Sequence, residues 1–438
     1  MPFTEEELLD LARRAADEAE VYSVTAEETP VTFEANRLKG VMTRQSRNIA
    51  LRIIKNGRIG FAAGAGPEDA RELVDIALET AQFGAEARFH MPAPASYGEV
   101  QVYDPAMETL ALERVVEAGQ RVIDRIVAHT PGILCEAYLA KRIGAVRILN
   151  SAGTSATSSK TTFSVRVEGT LIHGTEMLFV GDVRASCHPD LDLSPLARET
   201  IRQLELAKET APAPHGEVPV IFTPRGFANA FAMPLSMGIS GKTVLQGASP
   251  LSHLAGQRCF DPRLSLWDDP TIPYCSGSRA FDDEGVKAQR LPLVEQGVLR
   301  NFTYDLQTAG LAGVASTGSA SRMPSTLPAP SISVLTMEPG DASFEDMVAD
   351  IPEGLIVEEM LGSTQGNVLG GDFGGNVLLG YKIERGRIVG RVKDTMIAGN
   401  VYTILKDLQA IGKDAQWVGG TMLVPAITCA KVSVSSKA

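Results

Sequence analysis

Cysteine is scarce in this chain, and its pattern excludes two kinds of small stabilised domain. The five cysteines are an odd number and lie far apart, at Cys135, Cys187, Cys259, Cys275 and Cys429. They therefore form neither a disulfide framework nor a CxxC metal knuckle. No apolar run approaches the roughly 18 residues that span a bilayer, and the N-terminus is acidic where a signal peptide would be basic. We expect a cytoplasmic protein with reduced thiols and no membrane contact.

Basic residues are also in short supply. The chain has 41 Lys and Arg against 53 Asp and Glu, which gives a net charge of −12. A general nucleic-acid binder needs a basic surface that displaces counterions from phosphates, so nucleic acid is not an expected partner. The length of 438 residues and the hydrophobic fraction of 44% predict two or three domains with buried cores.

Histidine spacing excludes the usual zinc helix. The six histidines are His90, His129, His173, His188, His215 and His253, and no two lie three to five residues apart. A helical zinc site needs two imidazoles on one face, as in HExxH or HExxxH. The GxSxG elbow of a serine hydrolase is missing as well. We therefore expect no metal cofactor in this chain.

Blocks of helical and strand patterns, without strict β-α-β order, predict an α+β fold. A proline-rich segment at 210–216 divides the chain into expected domains at 1–211 and 212–438. The first is expected to be an α/β domain, with an antiparallel meander over 133–185 and flanking helices. The second is expected to be β-rich, with a mixed and strongly curved sheet.

Local patterns place the first elements. Thr4 and Glu7 have capping-box spacing, which predicts a helix to about Glu20. Alternation of apolar and polar residues then indicates strands, most clearly where apolar residues occupy positions 49, 51 and 53. Three tight hairpin turns are predicted where an apolar strand lies on each side of a turn that ends in glycine, at Gly57, Gly297 and Gly386.

Two further segments could serve function. Asp282, Asp283 and Glu284 form an acidic cluster, which is either a cation site or an acidic turn. The stretch 361–376 is rich in glycine, which indicates close backbone approach, bulges or turns. It is either a flexible loop or a strand edge that accepts an extended peptide. The residues of that possible edge are Gly362, Gly366, Gly370, Gly371, Asp372 and Phe373.

Several long motifs resemble the TldD/PmbA (TldE) family. They are Gly-Ser-Arg-Ala-Phe-Asp-Asp-Glu-Gly at 277–285, Pro-Leu-Val-Glu-Gln-Gly-Val-Leu at 292–299, Gly-Gly-Asp-Phe at 370–373, Gly-Tyr-Lys-Ile-Glu-Arg-Gly at 380–386 and Ile-Ala-Gly-Asn at 397–400. The resemblance implies a cytoplasmic proteolytic system of two related subunits, which degrades or trims unfolded peptides. In the TldD type, an HExxxH helix and a later cysteine hold the catalytic metal. The PmbA/TldE type lacks these ligands and is the partner subunit.

The resemblance also assigns the positions of the missing ligands. In its register, Ala232 and Met237 replace the two histidines and Met233 replaces the glutamate base, and no cysteine occurs at 419–422. It thus implies a TldE-type subunit without its own zinc, whose partner is a TldD-type chain or, in isolation, a second copy. One alternative is a self-sufficient hydrolase that uses His253, the acidic cluster or Cys429. A weaker alternative is a regulator of DNA gyrase, another name given to the family.

Overall fold

The computed structural model describes residues 3–66, 69–174 and 176–436. The helices in these ranges are α1 (Glu5–Ala15), α2 (Ala70–Ala81), α3 (Leu112–His129), α4 (Ser194–Leu206), α5 (Pro224–Ile239), α6 (Gly241–Leu245), α7 (Leu306–Ala312), α8 (Phe344–Ala349) and α9 (Val401–Ile404). Two 3₁₀ turns lie at Pro105–Met107 and Val368–Gly370.

The strands of the first half are β1 (Glu18–Glu34), β2 (Arg37–Val41), β3 (Arg44–Lys55), β4 (Arg58–Ala65), β5 (Leu134–Asn150), β6 (Ser155–His173) and β7 (Glu176–Ser186). Those of the second half are β8 (Gly216–Phe222), β9 (Leu266–Asp268), β10 (Leu291–Glu295), β11 (Val298–Leu299), β12 (Ala320–Ser321), β13 (Ala329–Pro330), β14 (Leu335–Met337), β15 (Glu353–Leu361), β16 (Asp372–Glu384), β17 (Arg387–Arg391), β18 (Thr395–Asn400), β19 (Leu408–Ile411), β20 (Gln416–Val418), β21 (Met422–Val424) and β22 (Ile427–Ser436).

The N-terminal half is one antiparallel sheet with the order β4-β3-β1-β5-β6-β7, and β2 pairs with β1. Alternate residues face opposite sides of a sheet, and here one side is covered by helices. Ile49, Leu51 and Ile53 pack with residues of α1 and α2, as their alternation predicts. The residue between two of them, Arg52, faces the other side and is also buried. The predicted meander is confirmed by β5, β6 and β7.

The first helix is shorter than predicted. Its capping box is present, since Thr4 accepts from the Glu7 N–H and Glu7 accepts from the Thr4 N–H. The helix ends at Ala15, however, and Glu20 lies in β1, so the extension to about Glu20 was wrong. The reason is strand pairing: β1 runs in register with β3 from Glu18 onward, so Glu18–Glu20 lie in the sheet.

The C-terminal half is built around a closed barrel. Strands β15, β8, β22, β18 and β16 pair in this order, and β16 pairs again with β15. Only β8 and β15 are parallel among these pairs, so the sheet is mixed and curled. A second mixed sheet has the order β11-β10-β9-β14-β21-β20. The expected α+β class and the mixed, curved C-terminal sheet are confirmed.

All three predicted hairpin turns are confirmed. Each has two consecutive residues with positive φ, as in the pair Asn56 at +52° and Gly57 at +73°. Such turns match the twist of the flanking strands. A fourth turn of this kind, at Ala35–Asn36 between β1 and β2, contains no glycine and was not predicted.

The two halves share hydrophobic packing. One core cluster joins residues of α3, α4 and β5–β7 to Ile221, Ile356, Tyr381 and other residues of the barrel. The predicted linker is hydrogen-bonded to strand β17 of the C-terminal half, because the Ala211 N–H donates to the Arg391 carbonyl at 2.9 Å. None of the helices in the described ranges combines the length and the hydropathy that a membrane-spanning helix needs.

Candidate functional site

Helix α5 carries the two positions that the family resemblance assigns to metal-binding histidines and the one that it assigns to the glutamate base. It begins where the Thr223 hydroxyl accepts from the Gly226 N–H, with Pro224 in the first turn. Met233 is 50% exposed, whereas Ala232 and Met237 are half-buried. The helix packs on β15, on the 3₁₀ turn Val368–Gly370 and on β20 and β21.

These side chains do not fit a zinc ion. Zinc sites in proteins are built from imidazole, thiolate and carboxylate donors, and an alanine and two methionines supply none of them. Among the described residues, no group of three or more His, Cys, Asp and Glu side chains could hold a metal ion.

Tyr402 ties α5 to the glycine-rich segment. Its hydroxyl donates to the Pro234 carbonyl inside α5 at 2.8 Å. A Cβ atom on Gly238 would lie 2.0 Å from the Tyr402 oxygen, and one on Gly371 would lie 2.4 Å from its ring. Glycine is thus required on both sides of this ring by close approach, as the glycine content of the segment indicated.

The predicted strand edge is largely occupied. Asp372–Asn376 pairs with β18 on one side, and on the other the Gly374 N–H donates to the Ser363 carbonyl at 3.3 Å. Phe373 is 2% exposed and packs against other aromatic rings in the barrel core. The strand therefore has no open edge at Asp372 and Phe373, because the barrel closes there.

The loop between β15 and β16 remains accessible. Gly366 is exposed, and Gly362 and Gly370 are half-buried, whereas Gly371 is buried beside Tyr402. Asn400 fixes the end of this loop, since its Nδ2 donates to the Gly370 carbonyl and to Asp372 Oδ1, both at 2.8 Å. Peptide contact at Gly362 and Gly366 stays a prediction.

The acidic cluster is a buried turn rather than an open one. Asp282 is fully buried, and its two oxygens accept from the N–H groups of Glu284, Val286 and Ala320 at 2.9–3.0 Å. Asp283 Oδ2 accepts from the Arg322 N–H at 2.9 Å. Of the two predicted roles, these contacts favour the structural one.

Glu284 belongs to a charged network between the two halves, which we call the junction network. Arg52 joins Glu284 at 2.5 Å and Glu20 at 2.8 Å, and Arg322 joins Glu20 at 2.7 Å. The Arg322 guanidinium also lies 4.0 Å from the centre of the Tyr22 ring. The sequence pattern does not single out these residues: Glu20 and Arg52 lie in strands, where charged side chains are usually exposed, and Arg322 follows the two-residue strand β12.

Burial and ion pairing compete in the junction network. Burial raises the pKa of Glu284 to about 7, with Arg52 opposing it. Burial likewise raises the pKa of Asp282 to about 6, with Arg279 opposing it. For Glu20, burial would raise the pKa, but Arg322 and Arg52 together lower it. At this junction the pKa values of Glu284 and Asp282 are therefore raised, whereas that of Glu20 is lowered.

The residues of the self-sufficient hydrolase alternative lie in different surroundings. His253 is exposed, Asp282 and Glu284 lie at the junction, and Cys429 is buried in the barrel core. Burial raises the pKa of the Cys429 thiol far above its usual range, so it is not an available thiolate nucleophile. Nothing in this geometry favours that alternative.

These features define a class of protein in which an antiparallel sheet with helices on one face is joined to a closed barrel. Helix α5, which packs on the barrel, carries no metal-binding side chain at Ala232, Met233 or Met237. Residues 215–436 match the PmbA/TldA metallopeptidase C-terminal domain, and residues 19–81 match the PmbA/TldA metallopeptidase domain 1. The chain belongs to the PmbA/TldD family. The family predicted from the motifs is thereby confirmed.

Relatives extend over almost the whole chain. An uncharacterized protein of Methanocaldococcus jannaschii is 25% identical over 410 residues, which are 92% of this chain and 93% of that protein. A protein of Methanothermobacter thermautotrophicus named metalloprotease is 25% identical over 93% of this chain and 90% of its own length.

Solved structures share the fold. TldE from Thermococcus kodakarensis gives a TM-score of 0.89 at 23% identity, with 98% of this chain and 99% of that chain covered. A Thermotoga maritima protein, described as a suggested modulator of a DNA gyrase, gives 0.88 at 21% identity with the same coverage. At such identities the likeness concerns the fold.

Proposed function

We propose that this chain is a non-catalytic, peptide-handling subunit of the PmbA/TldE type, which pairs with a metal-bearing TldD-type chain in a proteolytic complex. The observation that carries this proposal is the side chains of Ala232, Met233 and Met237 on α5. A metallopeptidase needs a bound ion that activates water and a base that takes its proton. Alanine and methionine supply neither function.

The surroundings of α5 support the same role. The turn between β20 and β21 lies where the resemblance places the family's later cysteine, and it contains Gly419 and Gly420 but no cysteine of its own. Its two strands pack on α5, and the thiol nearest in contact is that of Cys275, which donates to the Gly420 carbonyl at 3.0 Å. The exposed loop at Gly366 offers backbone groups to an extended peptide. The unfolded peptide would thus be held by this chain and cut by its partner in the cytoplasm.

The experiment compares the chain alone with the chain mixed with a TldD-type protein from the same genome. Zinc content, molar mass by light scattering and cleavage of an unfolded peptide are measured for each sample. We expect no stoichiometric zinc and no cleavage by this chain alone, as a monomer or homodimer, and a stable mixed complex that cleaves. One tightly bound zinc per chain, with chelator-sensitive cleavage by the chain alone, would overturn the proposal.

A further inference from the structure

A cavity of about 1070 Å³ lies between the N-terminal sheet and the barrel, and Ala232, Met233 and Met237 are not among its lining residues. Its walls come from β7, α4, the start of α5, β15 and the segment 412–418. Exposed His188, Lys413 and Trp417 lie at its rim. Glu358 also lines it, although this residue is only 2% exposed, so the cavity reaches a buried carboxylate.

A bulge directs Glu358 toward the cavity. The pairing of β15 with β16 shifts between Val357 and Glu359, so Glu358 has no partner residue in the ladder. A bulge of this kind turns a side chain out of the regular alternation and is common beside functional sites. Val357 packs in the barrel core, and Glu359 joins Arg225 at 2.7 Å.

The guanidinium that neutralises Glu358 is shared. Arg202 makes two contacts with Glu199, Nε to Oε2 at 3.0 Å and Nη2 to Oε1 at 2.6 Å, and Nη2 also contacts Glu358 Oε1. The second oxygen of Glu358, Oε2, accepts no hydrogen bond from any residue that the structure describes. Arg225 is engaged with Glu359 and with the Gly181 carbonyl. Glu199 and Glu358 thus share the Arg202 guanidinium for their ion pairs, and Arg225 acts on both of them only through its charge.

We propose that this cavity binds the cationic group of a peptide, an ammonium or a guanidinium, which donates to Glu358 Oε2. Such a donor supplies both the missing positive charge and the missing hydrogen bond, and charge-assisted hydrogen bonds are the strong ones. Phe344 and Trp417 give the cavity an aromatic wall for the adjoining aliphatic or guanidinium part. This inference rests on the proposed function and names the part of the peptide that this chain holds.

Trp417 provides the measurement. The chain has two tryptophans, so Trp267→Phe leaves Trp417 as the reporter in the cavity. We record Trp417 fluorescence while each of four compounds is added to the protein. They are trialanine amide with a free amino terminus, its N-acetyl form, N-acetyl-Ala-Arg-Ala amide and spermidine. We expect saturable changes with the first and third peptides and at least tenfold weaker binding of the uncharged N-acetyl trialanine. Equal binding of that uncharged peptide, or tighter binding of spermidine than of both cationic peptides, would overturn the proposal.

A matched pair of variants tests the carboxylate. Glu358→Gln keeps an oxygen for Arg202 but removes the charge, and we expect it to weaken binding of the cationic peptides at least tenfold. Glu353→Gln makes the same change on the same strand at an exposed site, where Glu353 joins Lys382 at 3.2 Å, and should leave binding unchanged. If Glu358→Gln does not fold, Glu358→Asp replaces it: the shorter side chain withdraws the carboxylate from the cavity, so we expect weaker binding of both cationic peptides, and unchanged affinity would overturn the proposal.

The result is separable from the proposed function. Unchanged peptide affinity in folded Glu358→Gln overturns the cavity proposal, even where zinc is absent and the mixed complex still forms and cleaves. Zinc-dependent cleavage by this chain alone would instead overturn the proposed function, whatever the titrations give.

Discussion

Arg52 Nη1 lies 2.5 Å from Glu284 Oε1, although 232 positions separate the two residues in the sequence. Both side chains are at most 2% exposed. Arg52 comes from the N-terminal sheet, and Glu284 comes from the longest motif of the C-terminal half. The pair therefore links the two halves at a point from which water is excluded.

Breaking this pair should destabilise the chain strongly. Arg52→Met leaves Glu284 without its cation and removes one of the two cations that pair with Glu20. Removal of one partner from a buried pair costs about 3–5 kcal/mol. Urea unfolding at pH 8 measures the change. Lys39→Met is the control, because Lys39 and Glu34 form an exposed pair, and it should alter stability little. Equal effects of the two variants would contradict a junction role.

The pH dependence of stability should carry the signature of Glu284. Its pKa is raised from 4.5 to about 7, so between these values the folded chain binds more protons than the unfolded chain. The free energy of unfolding contributed by this group therefore falls as pH rises through that window. Glu20 has the opposite tendency, since its lowered pKa gives stability that is lost as pH falls below the ordinary value.

A comparison with Glu284→Gln isolates the first effect. The variant removes the titrating group, so the wild type should lose about 2–3 kcal/mol relative to it between pH 5 and pH 8. Arg52 opposes the raised pKa of this carboxyl, whereas Asp282, whose own pKa is raised to about 6, changes charge in the same pH window in both proteins. Urea unfolding at the two pH values gives the difference, and parallel stability profiles would contradict the assignment.

Gly238→Ala should be destabilising, although alanine is about 1 kcal/mol better than glycine in a helix. The new Cβ would lie 2.0 Å from the Tyr402 oxygen, and overpacking costs about 1–3 kcal/mol. Thermal unfolding reports the sign. In a Tyr402→Leu background the same substitution should cost less. An unchanged cost there would mean that Tyr402 is not the obstacle.

Native thiol alkylation should distinguish the cysteines. Cys259 is partly exposed, whereas Cys135, Cys187, Cys275 and Cys429 are buried. Burial raises the pKa of Cys135 and Cys187 to about 11, which lowers their thiolate fraction further. Iodoacetamide followed by mass spectrometry should label Cys259 first and the other four only after unfolding. Rapid labelling of Cys429 in the native protein would reopen the hydrolase alternative.

Part of the candidate site was readable from the sequence. That 232, 233 and 237 are Ala, Met and Met can be read from the order of residues alone; their correspondence to the family's HExxxH rests on the resemblance and stays a prediction. The close approaches at the glycine-rich segment were also indicated. The burial of Phe373 was not, since only closure of the barrel decides that both sides of its strand are paired.

The sequence alone determined the local elements of this protein: the alternation around Ile49, Leu51 and Ile53, the positive-φ hairpin turns and the family motifs. These follow from interactions between near neighbours, which the order of residues contains. The tertiary structure alone decided which charged residues are buried. In the sequence, Arg52 resembles a solvent-facing residue of an alternating strand, and nothing distinguishes Glu358 from the exposed acidic residues. Their burial arises because the barrel covers the second face of the sheet and a bulge redirects one side chain, and both depend on contacts between residues far apart in the chain.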